Sequence, residues 1–193
     1  MGDYLTMDTA QLAAKNDDRA IPSDADGRYA LAVELLGSAL ARVAAGYEAN
    51  PADRQDLLQN IHLQLWRSLA SFDGRCSLRT WAYRVAHNVA ADHIARQRRQ
   101  GATISLGDPE APEIDERVES HESTVSDRLA LGQVYNLLHR MAPIDRQVML
   151  LYLEEESAAT IAEVSGLSAS AVATRIHRLK RHLAEVLGTE SRS

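Results

Sequence analysis

Nowhere in this chain do apolar and polar residues alternate with period two for long enough to make a strand. Apolar residues recur instead at three- and four-residue spacing through two stretches, residues 27–100 and 126–187, separated by an acidic segment holding Gly101, Gly107, Pro109 and Pro112. The pattern predicts an all-α chain. Two small helical domains are joined by a flexible acidic linker over residues 101–125 and preceded by a polar, flexible N-terminal tail over residues 1–26. A length of 193 residues is enough for one ordinary domain or two small ones.

Within the first domain, Leu31, Leu35, Val43 and Tyr47 mark one helix, which Gly46 and Asn50-Pro51 end because a residue before proline avoids helical geometry. Leu58, Ile61, Leu65 and Leu69 mark a second helix, and Ser71 to Gly74 a break. Ser77 is placed to cap a third helix with the apolar stripe Leu78, Trp81, Val85 and Val89. In the second domain Ala130, Val134, Leu137, Leu138 and Met141 mark one helix, and Val148, Leu151 and Tyr152 another after Pro143. Ser157 caps a short helix carrying Ile161, Ala162 and Val164. Gly166 supplies a tight turn, and Ser168 caps a longer helix with Val172, Ile176, Leu179, Leu183 and Val186. That last sequence of elements is the outline of a helix-turn-helix.

Charge is distributed unevenly around a formal net of −6. Residues 75–99 hold six arginines and one acid, Asp92. Residues 168–184 hold Arg175, Arg178, Lys180 and Arg181 with no acid, and residues 100–128 hold eight acids against two arginines. Two basic patches flanking an acidic connector predict two contacts with a polyanion. Thr174, His177, Arg178 and Arg181 share one side of the last helix, away from its apolar stripe, which suits insertion into a DNA major groove. One cysteine, Cys76, excludes an internal disulfide and fits a reducing cytoplasm. No set of Cys and His has metal-site spacing and no Gly-rich phosphate loop occurs, so neither metal, cofactor nor enzymatic activity is expected. No run approaches the roughly 18 consecutive apolar residues of a membrane span, so no membrane insertion is expected. A free-standing transcriptional regulator with a sensory N-terminal half is the alternative, but a sensor needs no basic stripe of its own.

The motif residues resemble a known family. Asp56-Leu57-Leu58-Gln59 through Leu65-Trp66, Phe72-Asp73-Gly74-Arg75, and Thr80-Trp81-Ala82-Tyr83-Arg84-Val85-Ala86-His87-Asn88 are similar to region 2 of the extracytoplasmic-function sigma factors of bacterial RNA polymerase. Ile161-Ala162-Glu163, Gly166-Leu167-Ser168 and Val172-Ala173-Thr174-Arg175-Ile176-His177-Arg178 are similar to region 4 of the same family. The resemblance implies a cytoplasmic factor that binds core RNA polymerase and directs initiation at promoter DNA by recognising −10 and −35 elements; anti-sigma factors are a further partner class. It places the core polymerase contact on Asp53, Asp56, Leu57, Gln59 and Asn60. The −10 element falls to the loop Phe72, Asp73, Gly74, Arg75, Cys76 and Ser77 with Arg84 and Asn88, where extruding a base costs a few kcal/mol that a loop and an amide offset. Arg96, Arg98 and Arg99 are the phosphate contacts that position without specifying. The −35 element falls to Ala173, Thr174, Arg175, His177, Arg178 and Arg181. Ala173 departs from the family, where a long cation is usual, and offers a thymine methyl no more than van der Waals contact. The linker resembles the family's connector through the RNA exit path.

Overall fold

The computed structural model describes residues 20–99 and 125–190, with side chains described to residue 184 apart from those of 125–130. The expected tail over residues 1–26 therefore lies mostly, and the linker over residues 101–125 almost wholly, outside the described residues. Seven α-helices are described and no strand among them: α1 (Ala25–Tyr47), α2 (Pro51–Ser68), α3 (Leu78–Arg99), α4 (Val125–Arg140), α5 (Pro143–Leu153), α6 (Ala158–Ser165) and α7 (Ala169–Glu190).

The caps follow the sequence. Ser77 Oγ accepts the Thr80 amide at 3.0 Å at the start of α3, Ser157 Oγ accepts that of Thr160 at 3.0 Å before α6, and Ser168 Oγ accepts that of Ala171 at 3.2 Å before α7. Gly166 closes α6 at φ 74°, a left-handed conformation that an L side chain would strain. At the other end α1 starts three residues before the expected Arg28. Asp24 accepts the Gly27 amide at 2.7 Å, and this hydrogen bond, foremost among its causes, holds the Asp24 carboxyl below its ordinary range.

The buried faces of the first three helices keep Val43, Tyr47, Ile61, Leu65, Leu69 and Leu78 as expected and are turned at the remaining positions. In α1 the core residues are Ala32, Leu36, Ala39, Leu40, Val43 and Tyr47, while Leu31 and Leu35 are half-buried. In α2 Leu57 rather than Leu58 joins Ile61 and Leu65. In α3 the core is Leu78, Ala82, Tyr83, Ala86, His87 and Ala90, and the larger Trp81, Val85 and Val89 sit at its margin. The cause is close packing. α1, α2 and α3 all touch one another, and alanines let the helix backbones approach where valine or tryptophan would hold them apart. α1 is long and apolar enough to cross a membrane by length and composition, yet here its apolar side forms the centre of the core.

The second set of helices packs on the first. α6 lies against α3, and α4 and α5 against α1, so buried residues of both form one continuous cluster. Buried Arg146 of α5 donates to the carbonyls of Leu138 and His139 at 2.9 and 2.7 Å, closing α4, and sets its guanidinium 5.2 Å from the Tyr47 ring centroid of α1.

Candidate nucleic-acid interface

The loop before α3 is built on Phe72. Its ring is buried edge-on against Trp81, with centroids 5.4 Å apart, and the Arg28 guanidinium lies 5.7 Å over it while donating to the Leu69 carbonyl at 3.0 Å. Trp81, which sequence reasoning assigns to the core, is half-buried and donates its indole N–H to Ser68 Oγ at 2.9 Å. Phe72 is thus the loop's anchor, and the residues left at the surface are Asp73, Gly74 and Arg75. Gly74 takes φ 76°, and Asp73 accepts the Arg75 amide at 3.1 Å and its guanidinium at 2.5 Å. The amide hydrogen bond leads in keeping the Asp73 carboxyl below its ordinary range. Cys76 is half-buried, and burial pushes its thiol up, away from the reactive thiolate.

Along α3 the polar stripe divides. Asn88 is exposed, as are Asp92, Arg96, Arg98 and Arg99. The last three arginines crown the helix C-terminus, where its dipole favours cations. Arg84 is not free: its Nη2 donates to the Glu163 carbonyl at 3.1 Å, with the Glu163 carboxylate at 3.7 Å. Arg79 likewise pairs with Glu156 at 2.8 Å. A further device escaped sequence reasoning. Glu48, buried just after α1, receives His93 Nε2 at 3.0 Å and Gln97 Nε2 at 2.7 Å, tying the exposed half of α3 to the core. Burial pushes the Glu48 carboxyl up, but hydrogen bonds from His93, the Asn50 amide and Gln97 outweigh it and hold it below its ordinary range. The sole sequence signal was a histidine and a glutamine four residues apart.

On α2, Asp53, Asp56 and Gln59 are exposed and Asn60 half-buried, but Leu57 is buried in the core at 1% exposure, so its place is set by packing and it presents no contact surface. The apolar members of that face are Leu63 and Trp66, both exposed, with the Trp66 indole donating to Asp26 at 2.8 Å. His62 turns sideways to the Tyr29 hydroxyl at 3.1 Å.

On α7, Ala173, Thr174, His177, Arg178 and Arg181 are exposed together, with Arg175 half-buried behind them. Thr174 Oγ1 donates to the Ser170 carbonyl at 2.9 Å. Arg175 and Arg178 both reach Asp145 on α5, the latter at 2.9 Å. Ser170, Ala171, Thr174, Arg175 and Arg178 line a shallow open groove at the start of the helix. The predicted reading face is therefore brought together, and Asp145 is its unpredicted support.

Comparison with known proteins agrees with this geometry. Residues 32–100 match the family described as Sigma-70 region 2, and residues 131–183 that described as Sigma-70, region 4. The RNA polymerase sigma factor YlaC of Bacillus subtilis is 31% identical over 133 residues, 67% of this chain and 74% of the relative. The chain belongs to the extracytoplasmic-function sigma-70 factors. The ECF RNA polymerase sigma factor SigG of Mycobacterium tuberculosis is 30% identical over 155 residues, and the chain spans 42% of that relative's length. Two solved structures share the fold of this sigma factor. CnrH in complex with the cytosolic domain of CnrY has a TM-score of 0.61 at 24% identity, covering 93% of this chain and 94% of that one. The sigma factor RpoE from Bartonella quintana, in complex with the anti-sigma factor NepR, has a TM-score of 0.65 at 17% identity over 83% and 96%. α1 to α3 are thus region 2 of the sigma factor, and the helix-turn-helix of α6 and α7 lies in region 4.

Proposed function

We propose that the chain binds core RNA polymerase and directs promoter-specific initiation in the cytoplasm, with region 2 engaging the −10 element and region 4 the −35 element. The observation that carries this is the presence of two exposed cationic faces, one on each helical unit of a sigma-family chain: Arg96, Arg98 and Arg99 on α3, and Arg178 and Arg181 on α7. The division of labour follows from side-chain chemistry. The arginines at the end of α3 neutralise phosphates and fix register. Asn88 and the Asp73 to Arg75 loop tip meet a base released from the stack, with Phe72 as the loop's anchor. Thr174, His177 and Arg178 read base edges in the major groove, and Ala173 leaves its position without a donor. Asp53, Asp56, Gln59 and Asn60, extended by Leu63 and Trp66, form the polymerase contact. An anti-sigma factor is a further proposed partner, as NepR is for the Bartonella quintana RpoE.

The test is transcription in vitro with core polymerase on a promoter library, with start sites mapped. Starts that share −10 and −35 sequences and appear only when the chain is added are the expected result. Specific nanomolar binding to duplex DNA by the free chain at physiological salt would overturn the reading in favour of a self-sufficient regulator.

A further inference from the structure

The chain enters α1 through a fitted lead-in, Pro22 to Asp24. Gly27, in the first turn of α1, makes room for it. A Cβ on Gly27 would stand 2.7 Å from the Pro22 Cβ, well inside the roughly 3.5–4.0 Å at which carbons pack. Asp24 caps the helix on the Gly27 amide, and the two residues before it turn their carbonyls to Arg28. Arg28 Nε donates to the Pro22 carbonyl and Nη2 to that of Ser23, both at 2.9 Å. Nη1 of the same guanidinium crosses to another part of the chain. It donates to the carbonyls of Leu69 and Phe72 at 3.0 and 3.4 Å, residues 41 and 44 positions beyond it.

Arg28 thus joins two stretches of backbone through one planar group. A guanidinium can do this because its N–H donors diverge in a fixed plane. An ammonium, a compact charge with three rotating donors, cannot hold both sides at set angles. The far-side acceptors lead straight into the loop before α3. Leu69 opens the single 3-10 turn Leu69–Ser71, its carbonyl also accepts the Phe72 amide at 3.3 Å, and Phe72 follows the turn. The Phe72 ring has the Arg28 guanidinium on one side and Trp81 on another. The exposed tip Asp73 to Arg75 comes next, and a Cβ on Gly74 would meet none of the described residues within 4 Å. A tip that is already in place when a base arrives avoids the cost of ordering a loop on binding.

We infer that Arg28 is a positioning residue for base capture at the −10 element. Through it Pro22 and Ser23, which precede the residues matched to region 2, belong to that site. Its action is indirect. Half-buried and donating to backbone on both sides, Arg28 fixes the Phe72 carbonyl and ring, and with them the direction in which Asp73, Gly74 and Arg75 leave the core. The lead-in before α1 thereby helps to decide which base the tip accepts. The inference rests on the reading of that tip as the part of the loop that meets a released base.

Two full-length variants disturb the bridge from opposite ends. Arg28→Lys keeps the charge and loses the fork. Gly27→Ala leaves Arg28 unaltered and displaces Pro22, while alanine favours the helix more than glycine does. Holoenzyme is formed with each, and the start-site mapping described above supplies a promoter. Affinity is then measured for promoter forks whose −10 non-template strand is already single and carries each of the four bases at each position in turn. The readout is a ratio between templates, which a partly unfolded preparation leaves unchanged.

Base preference at one −10 position is expected to fall about tenfold in Arg28→Lys, the scale of one base contact. Gly27→Ala is expected to lower it at the same position by a smaller factor, with preference at the −35 element unchanged in both. A purely structural role would reduce active holoenzyme and leave every ratio where it was, so unchanged ratios in Arg28→Lys overturn the inference. An equal loss of preference at both elements overturns it too. A change in Arg28→Lys alone discards the part given to the lead-in. Wild-type holoenzyme that starts at defined promoters but shows no −10 base preference on the forks overturns the loop reading and the inference with it, whereas the absence of defined starts overturns the sigma-factor reading itself.

Discussion

Asp145 holds two arginines of α7 at once: one carboxylate oxygen takes Arg175 and the other takes Arg178 Nη2 at 2.9 Å. A guanidinium has five N–H donors in a rigid plane, so pairing one edge fixes the direction of the others. Arg178 is thereby tied to α5 on one edge while 56% of its side chain stays exposed, and Arg175 is the more buried of the two. Asp145→Ala is expected to relax sequence preference at one or two upstream positions by about 1–3 kcal/mol, the worth of one well-placed base contact, with Asp145→Glu retaining part of it. Selection of randomised upstream sequences by holoenzyme measures this. An unchanged preference profile would show that the pair serves folding alone.

Asn88 and Arg98 are both exposed on α3, and the proposed function gives them different work. Asn88→Ala is expected to slow promoter opening and loosen selectivity at one −10 position. Arg98→Ala should weaken binding evenly across sequences and lower the slope of log affinity against log salt by about one. Holoenzyme binding at several salt concentrations on matched and mismatched promoters distinguishes them, and identical behaviour would remove the division of labour.

The α2 surface separates packing from contact. Leu57→Ala should destabilise region 2 by about 2–5 kcal/mol, since the side chain is wholly buried, whereas Gln59→Ala should leave stability within about 0.5 kcal/mol and lower polymerase affinity. Asp53 and Asp56 already stand exposed on this face, so adding charge beside them with Gln55→Glu and Asn60→Glu is expected to tighten core binding by up to about tenfold. Titration of labelled core polymerase reads the outcome. No gain means that other acids already compensate.

His87 gives the fold a pH dependence. Its Nδ1 meets the Tyr47 hydroxyl at 3.1 Å, its Nε2 is buried with no partner among the described residues, and burial pushes its pKa down from 6.5 to about 3. Below pH 6.5 the unfolded chain takes up a proton that the folded chain refuses. Stability is therefore full above that pH and falls as the pH drops toward 3, by up to about 1.4 kcal/mol per pH unit. Urea unfolding between about pH 7 and pH 5 should show this slope in the wild type and a flatter one in His87→Leu. An equal slope in both would place the dependence elsewhere.

The sequence by itself determined whatever depends on near neighbours in the chain. Caps at Ser77, Ser157 and Ser168, the left-handed turn at Gly166, the helix-turn-helix order and the two cationic stretches are all patterns within a few residues, and each is realised. Only the tertiary structure decided how far the buried sides of α1, α2 and α3 are turned; Ile61 and Leu65, and beyond the linker Leu138, Val148, Leu151, Ile161 and Val172, are buried as expected. A shift of one residue turns a helix face by about 100°. α1, apolar over much of its circumference, accepts Leu36 and Leu40 as readily as Leu31 and Leu35 until α2 and α3 are in place. The same holds for Leu57 against Leu58 and for the alanines of α3 against Trp81, Val85 and Val89. The pairs that join the two regions lie further still from any local signal: Arg42 and Glu154 are 112 residues apart, and Arg79 and Glu156 are 77. Opposite charges so far apart in a chain are common, and only the folding of both regions brings these particular ones within reach, which is why the shielding of Arg79 and Arg84 could not be read from their neighbours.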